Sequence, residues 1–154
     1  MKTYVWIGGV AALFISAFFL LSGFYLRPLR HIQGPFVTIG STTISVERAD
    51  TPEEQERGLS YRTALASSSG MLFVFSHPEY YQFWMPHMNF PLDIIWIDGQ
   101  GTIITIAHRV PPLIEGAPPK TYSPAHPAQY VLEVNGGFSE HHGITEGERV
   151  DMHL

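Results

Sequence analysis

The sequence predicts a mainly β (α+β) domain, a small barrel or strongly curved antiparallel sheet with one or two short helices, behind an N-terminal transmembrane helix. Three observations lead there. Six or seven short apolar or alternating runs follow one another after residue 35, separated by clusters of turn-forming residues. Only two stretches among them read as helices. Residues 5–26, VWIGGVAALFISAFFLLSGFYL, carry no charge.

As a helix these 22 residues span roughly 33 Å, enough for a ~30 Å hydrocarbon core. Tyr4 and Trp6 stand at one end and Tyr25 at the other, where amphipathic rings favour the membrane interface; Arg27 and Arg30 then end the run. The alternative is a cleaved signal peptide with Lys2 as its positive n-region. Against it, the run exceeds the ~7–15 residues of a signal h-region, and no A-x-A-like site follows. Leu20-Leu21-Ser22-Gly23 resembles the start of a lipoprotein signal, but Phe24 stands where the lipid-bearing Cys is required. The expected organisation is an anchor over residues 1–30, a tether over 31–35 and a compact β-rich domain over 36–154. The expected location is the bacterial inner membrane, single-pass, with the domain on the extracytoplasmic (periplasmic) side.

Past the Gly34-Pro35 break, Phe36-Val37-Thr38-Ile39 and Thr43-Ile44-Ser45-Val46 alternate around Gly40-Ser41 as a hairpin. Thr51, Pro52 and Glu54 form a helix start with a capping box, and the helix should run towards Leu59 or Leu65 with Gly58 weakening its middle. Gly70-Met71-Leu72-Phe73-Val74-Phe75 reads as a buried strand, and Gln82-Phe83-Trp84-Met85 as another. Residues 92–97 and 102–106 flank Asp98-Gly99-Gln100-Gly101, a hairpin signal. Residues 110–127 hold six prolines and should form an ordered loop over one face. A strand over 129–134, a short helix over 137–142 and a strand over 149–154 complete the chain.

Composition removes several function classes. With no Cys, disulfide scaffolds, thiolate zinc sites and cysteine nucleophiles are excluded. Of the 9 basic side chains, Lys2, Arg27 and Arg30 precede residue 31, leaving 6 against 14 acidic ones, a formal balance of −8. So acidic a domain lacks the clustered Lys and Arg that phosphate neutralisation needs, so no nucleic-acid partner is expected. There is no G-x-S-x-G, H-E-x-x-H or phosphate loop, and the eight histidines form no metal signature. No cofactor is expected, and the balance of motifs points away from an enzyme.

Glu56-Arg57-Gly58-Leu59 with Arg62, Gly70-Met71-Leu72-Phe73-Val74-Phe75, Phe83-Trp84-Met85, Pro91-Leu92-Asp93-Ile94-Ile95 and Tyr130-Val131-Leu132-Glu133 occur in that order. Gly137, Gly143 and Gly147 follow. Over roughly residues 45–152 the chain thus resembles the domain of unknown function 192 family. The resemblance implies a small β-rich domain, often behind a signal or anchor, and brings no function. Where the family usually carries Lys-Asn-Thr after Trp84-Met85, this chain has Pro86-His87-Met88.

Two constellations invite chemistry. Met85, His87 and Met88, beside Trp84 and with Met71 as a further sulfur, are the soft donors a Cu(I) site uses; Met and Trp at strand ends are also ordinary core filler. Arg57, Arg62, Asp93 and Glu133 form a charged cluster at positions of the family pattern. Asp93 and Arg57 are expected either to form a buried pair fixing helix to sheet, or to line a pocket in which Arg57 grips an anionic or polar ligand and Asp93 or Glu133 handles protons. The leading expectation is a membrane-anchored extracytoplasmic binding or accessory domain for a small molecule or peptide. Arg57, Trp84, His87 and Asp93 would line its pocket, between the 84–93 segment and the proline-rich loop. The alternatives are a hydrolase or lyase on an envelope glycan or peptide, with Asp93 and Glu133 as acid and base, and a Cu(I)-handling module. The first alternative requires both carboxyls to open on one cleft, and the second requires the three soft donors to converge.

Overall fold

The computed structural model describes residues 34–114 and 116–154. The predicted anchor, and the tether up to residue 33, lie outside the described residues. Among those described, no helix is long and apolar enough to cross a membrane.

Seven strands form one curled sheet: β1 (Phe36–Ile39), β2 (Thr42–Ala49), β3 (Ser69–Glu79), β4 (Leu92–Ile97), β5 (Ile103–Val110), β6 (Ala128–Asn135) and β7 (Val150–His153). Two short helices, α1 (Pro52–Arg57) and α2 (Phe138–His142), interrupt them. The spatial order is β5-β4-β6-β3-β2-β1-β7. The two margins meet at one end: Val150 N–H donates to Gly101 O at 2.8 Å and Ile103 N–H to Glu148 O at 2.9 Å. The mainly β, curled, barrel-like architecture with two short helices agrees with the sequence reading.

Three details differ from that reading. The sheet is not wholly antiparallel, because β2 and β3 pair in parallel, from Ser45 opposite Ser69 to Ala49 opposite Phe73. Parallel neighbours need a crossover, and α1 with its following loop supplies it. Second, α1 stops at Arg57, short of Leu59 or Leu65. Its start is as expected: Thr51 Oγ1 accepts from Glu54 N–H, and the Glu54 carboxylate accepts from Thr51 N–H. Its end is set by Gly58 at φ 48°, ψ −135°, a conformation that favours glycine and breaks the helical path. Third, Gln82–Met85 is no strand; only a single bridge joins Phe83 to Tyr122.

The curl has a core on each side. The inner one takes residues from all seven strands, including Val37, Ile44, Leu72, Ile95, Ile103, Leu132 and Val150, with Phe138 of α2 closing it. The outer one, around Met71, Phe73, Ile94, Trp96 and Val131, is roofed by Leu59 and Met85 from the loops. Two hydrogen bonds fasten that roof: Trp96 Nε1–H donates to Tyr81 O at 2.9 Å, and Leu113 N–H to Met85 O at 3.3 Å. Side chains alternate across each strand. A residue's parity on β4 or β6 therefore decides which core it meets.

Candidate functional site

Two carboxyls are buried in adjacent strands, and parity sends them opposite ways. Asp93 on β4 pairs with Val134, an inner-core residue, whereas Glu133 on β6 pairs with Ile94, an outer-core residue. They lie on opposite faces of the sheet. An acid–base pair acting in one cleft, the requirement of the hydrolase or lyase reading, is therefore not formed.

Asp93 is 0% exposed and fully engaged. Its Oδ1 accepts from Arg109 N–H and Gly137 N–H, and its Oδ2 from Ser139 N–H, each at 2.8 Å. The pairing with Arg57 expected from the sequence is absent; backbone donors replace the guanidinium. Local conformation turns them inward. Arg109 sits at φ 48°, and Gly137 at φ 88°, where an added Cβ would meet the Arg109 guanidinium at 2.6 Å. Asp93 thus fixes α2 to the sheet.

Glu133 has the opposite environment. It is 5% exposed, and its Oε2 finds no hydrogen-bond partner among the described residues. Burial among apolar neighbours pushes its pKa up to about 8, so the carboxyl is largely protonated at neutral pH. It borders a small pocket of about 70 Å³ whose apolar walls include Leu59, Phe83, Met85 and Met88. That pocket opens beside an outer cleft of about 620 Å³ lined by Glu53, Glu56, Arg57, Ser60, Tyr61, Trp84, Pro86 and His87. Glu56, Arg57, Ser60, Trp84 and Pro86 border both. The outer volume falls within the ~300–1,000 Å³ typical of small-molecule sites.

The two walls of this recess are cross-linked. Ser60 Oγ donates to Pro86 O at 3.0 Å, Tyr61 N–H to His87 O at 2.9 Å, and Asn89 Nδ2 to Arg62 O at 2.8 Å. Tyr61 and His87 both take positive φ, 65° and 53°, and their rings stack 4.6 Å apart at 13°. Two of the three non-glycine positive-φ residues described thus face each other at this recess, and such strain persists where the surroundings enforce it. Gln55 docks α1 to the sheet by donating to Val74 O at 2.9 Å. Trp84 is 47% exposed, an unusual position for a large aromatic ring.

Of the ligand-binding residues expected from the sequence, Arg57, Trp84 and His87 come together in the outer cleft, and Asp93 does not. Arg62 also stays out: it binds Glu47 through two bonds of 2.5 and 2.7 Å, holding that carboxyl below its usual range. The three soft donors divide. Met85 and Met88 border the inner pocket, whereas His87 lies in the outer cleft against Tyr61. Among the described residues no group of three His, Asp or Glu is placed to hold a metal ion. The proline-rich loop forms a separate apolar groove of about 160 Å³ with Leu113, Ile114 and Tyr122, touching the recess through Met85. A third depression, about 590 Å³ near Ser68, Asn135 and His141, offers no unsatisfied buried group; its Asn135 amide already donates to Leu65 O and Ala66 O.

Sequence reasoning missed Glu53, Ser60 and Tyr61. The signal was the capping box itself, because a short capped helix ending in Gly58 puts Glu53, Glu56 and Arg57 at the surface and turns Ser60 and Tyr61 back towards Pro86.

Residues 36–152 match the DUF192 family, described as Uncharacterized ACR. Two solved structures are similar. One is of a candidate transcription regulator from Sinorhizobium meliloti, 32% identical at TM-score 0.69, covering 77% of this chain and 91% of that one. The other is of a protein of unknown function from Novosphingobium aromaticivorans, also 32% identical at TM-score 0.69, covering 81% and 89%. No functionally curated protein matches the sequence.

Proposed function

We propose, from the premise that the chain belongs to the DUF192 family, that it is a membrane-anchored binding domain of the bacterial envelope. Its ligand site is the recess between α1 and the 84–88 segment. Residues 5–26 hold it in the inner membrane and the domain works on the extracytoplasmic side. One observation carries the binding reading: a buried carboxyl with an oxygen left unpaired borders a pocket that opens beside a cleft of ligand size. Leaving a buried hydrogen-bonding group unmatched costs about 1–3 kcal/mol, a cost a ligand group can remove. The uncharged run of residues 5–26 supports the anchor.

The regulator description of the Sinorhizobium protein gives a second reading, DNA binding. The −8 balance of residues 31–154 disfavours it, because non-specific DNA affinity rests on clustered cations. The test is made on the full-length chain in bacterial cells. It should resist alkaline extraction from membranes, be digested by protease added to spheroplasts, and carry a bound envelope component, visible by native mass spectrometry, that Trp84→Ala loses. Recovery from the aqueous fraction would overturn the anchor; a bare protein, identical to Trp84→Ala, would overturn the binding site.

A further inference from the structure

We propose, building on the binding reading above, that the recess takes an N-acetylated amino sugar of an envelope glycan. The sugar ring lies on Trp84 and its acetamido group enters the inner pocket against Glu133.

The inner pocket sets the substituent. At about 70 Å³ it has less than half the ~150 Å³ that accommodates benzene, so it admits a side group and not a ring. Leu59, Phe83, Met85 and Met88 form the apolar part of its lining, Glu56, Arg57, Ser60 and Gln82 the more accessible polar part, and Glu133 supplies its one buried oxygen without a partner among the described residues. A group filling it needs a methyl for those walls and one hydrogen-bonding atom for the carboxyl. An acetamido group has both, its carbonyl oxygen accepting from the protonated Glu133.

The outer cleft sets the rest. Trp84 borders both compartments and stays 47% exposed, leaving apolar indole surface open to the C–H groups of a pyranose. Glu53, Glu56 and Arg57 surround it with planar, multidentate groups suited to ring hydroxyls. The mixture of signs disfavours charged ligands. Arg57 stands in the way of a cation, while Glu53 and Glu56 oppose an anion. A neutral, hydroxyl-rich molecule meets neither obstacle. Cu(I) fits less well, because His87 is not on the inner pocket with Met85 and Met88.

The test uses the full-length chain in a polyoxyethylene detergent, which carries no sugar. Calorimetric titrations compare N,N′,N″-triacetylchitotriose, the same trimer with free amines, and cellotriose. The acetylated trimer is expected to bind, and the other two at least about ten-fold more weakly, as for a site whose buried polar group then goes unmatched. Glu133→Leu should erase that preference with the fold retained by circular dichroism. Glu133→Gln, whose amide still donates, should keep it, and Trp84→Ala should remove binding. Equal affinity for acetylated trimer and cellotriose would overturn the acetamido placement. Failure of all three sugars, in a chain that still captures an envelope component through Trp84, would overturn the sugar class and leave the binding reading standing. Failure of both would overturn both.

Discussion

Asp93 and Glu133 lie on neighbouring strands of one sheet and are almost equally buried, at 0% and 5% exposed, yet the fold treats them differently. The inner face gives Asp93 three backbone donors at 2.8 Å. The outer face leaves Glu133 with an unpaired oxygen and a pKa of about 8. Burial alone therefore does not decide what a carboxyl is for. A carboxylate surrounded by N–H groups belongs to the architecture, because its charge is answered by atoms the chain already owns. A carboxyl that burial keeps protonated beside an open cleft has no such answer among the described residues, and the proposed ligand would supply it.

The contrast can be broken in stability measurements. Asp93→Ala strips three donors of their acceptor and should cost about 3–5 kcal/mol in urea unfolding, the range for breaking a buried charged contact. A loss under 1 kcal/mol would mean that α2 is held by other means. Glu133→Gln should go the other way. The folded carboxyl keeps its proton up to about pH 8 while the unfolded chain releases it near 4.5, so parental stability falls as pH rises through that window and levels off above it. At pH 7 this amounts to at most about 3 kcal/mol. Glu56 and Arg57 are the charged groups that share its pocket, and burial is the cause of the shift. Midpoints at pH 5 and pH 8 should show Glu133→Gln losing most of the parent's pH slope; parallel slopes would refute the neutral carboxyl.

Smaller effects sharpen the same comparison at the recess wall. Thr51→Ala removes the capping box and should cost about 1 kcal/mol, with ligand affinity weakened because α1 carries Glu53, Glu56 and Arg57. Arg57→Ala should change stability by less than about 0.5 kcal/mol, since its side chain is exposed and makes no ion pair among the described residues. A large loss of stability would revive the buried-pair reading of Arg57.

The strands were legible because their patterns are local: alternation at Val37, Ile39, Ile44 and Val46, and turn residues at Gly40 and Asp98, need no knowledge of partners. The parallel pairing of β2 with β3 was not, since register is set by contacts distant in sequence. Parity at Leu92-Asp93-Ile94 correctly turned Asp93 away from its neighbours. Its partners stayed hidden because backbone N–H groups carry no side-chain signature; only Gly137 marked one of them. Arg57 was legible as a charged residue at a position of the family pattern, and Trp84 and His87 as members of the indole, imidazole and thioether cluster around Met85. That Glu133 and not Asp93 joins them follows from which face of a curled sheet the crossover loop covers, which no local pattern encodes.

The meeting of Gly101 with Val150 has a bearing on solubility. Hydrogen-bonding groups at both rims of the sheet are occupied by each other at that end, so a second molecule finds little backbone there to zip onto. Shortening the polypeptide by its final strand would strip β1 of a neighbour and turn an enclosed ribbon into a template for fibrous self-association.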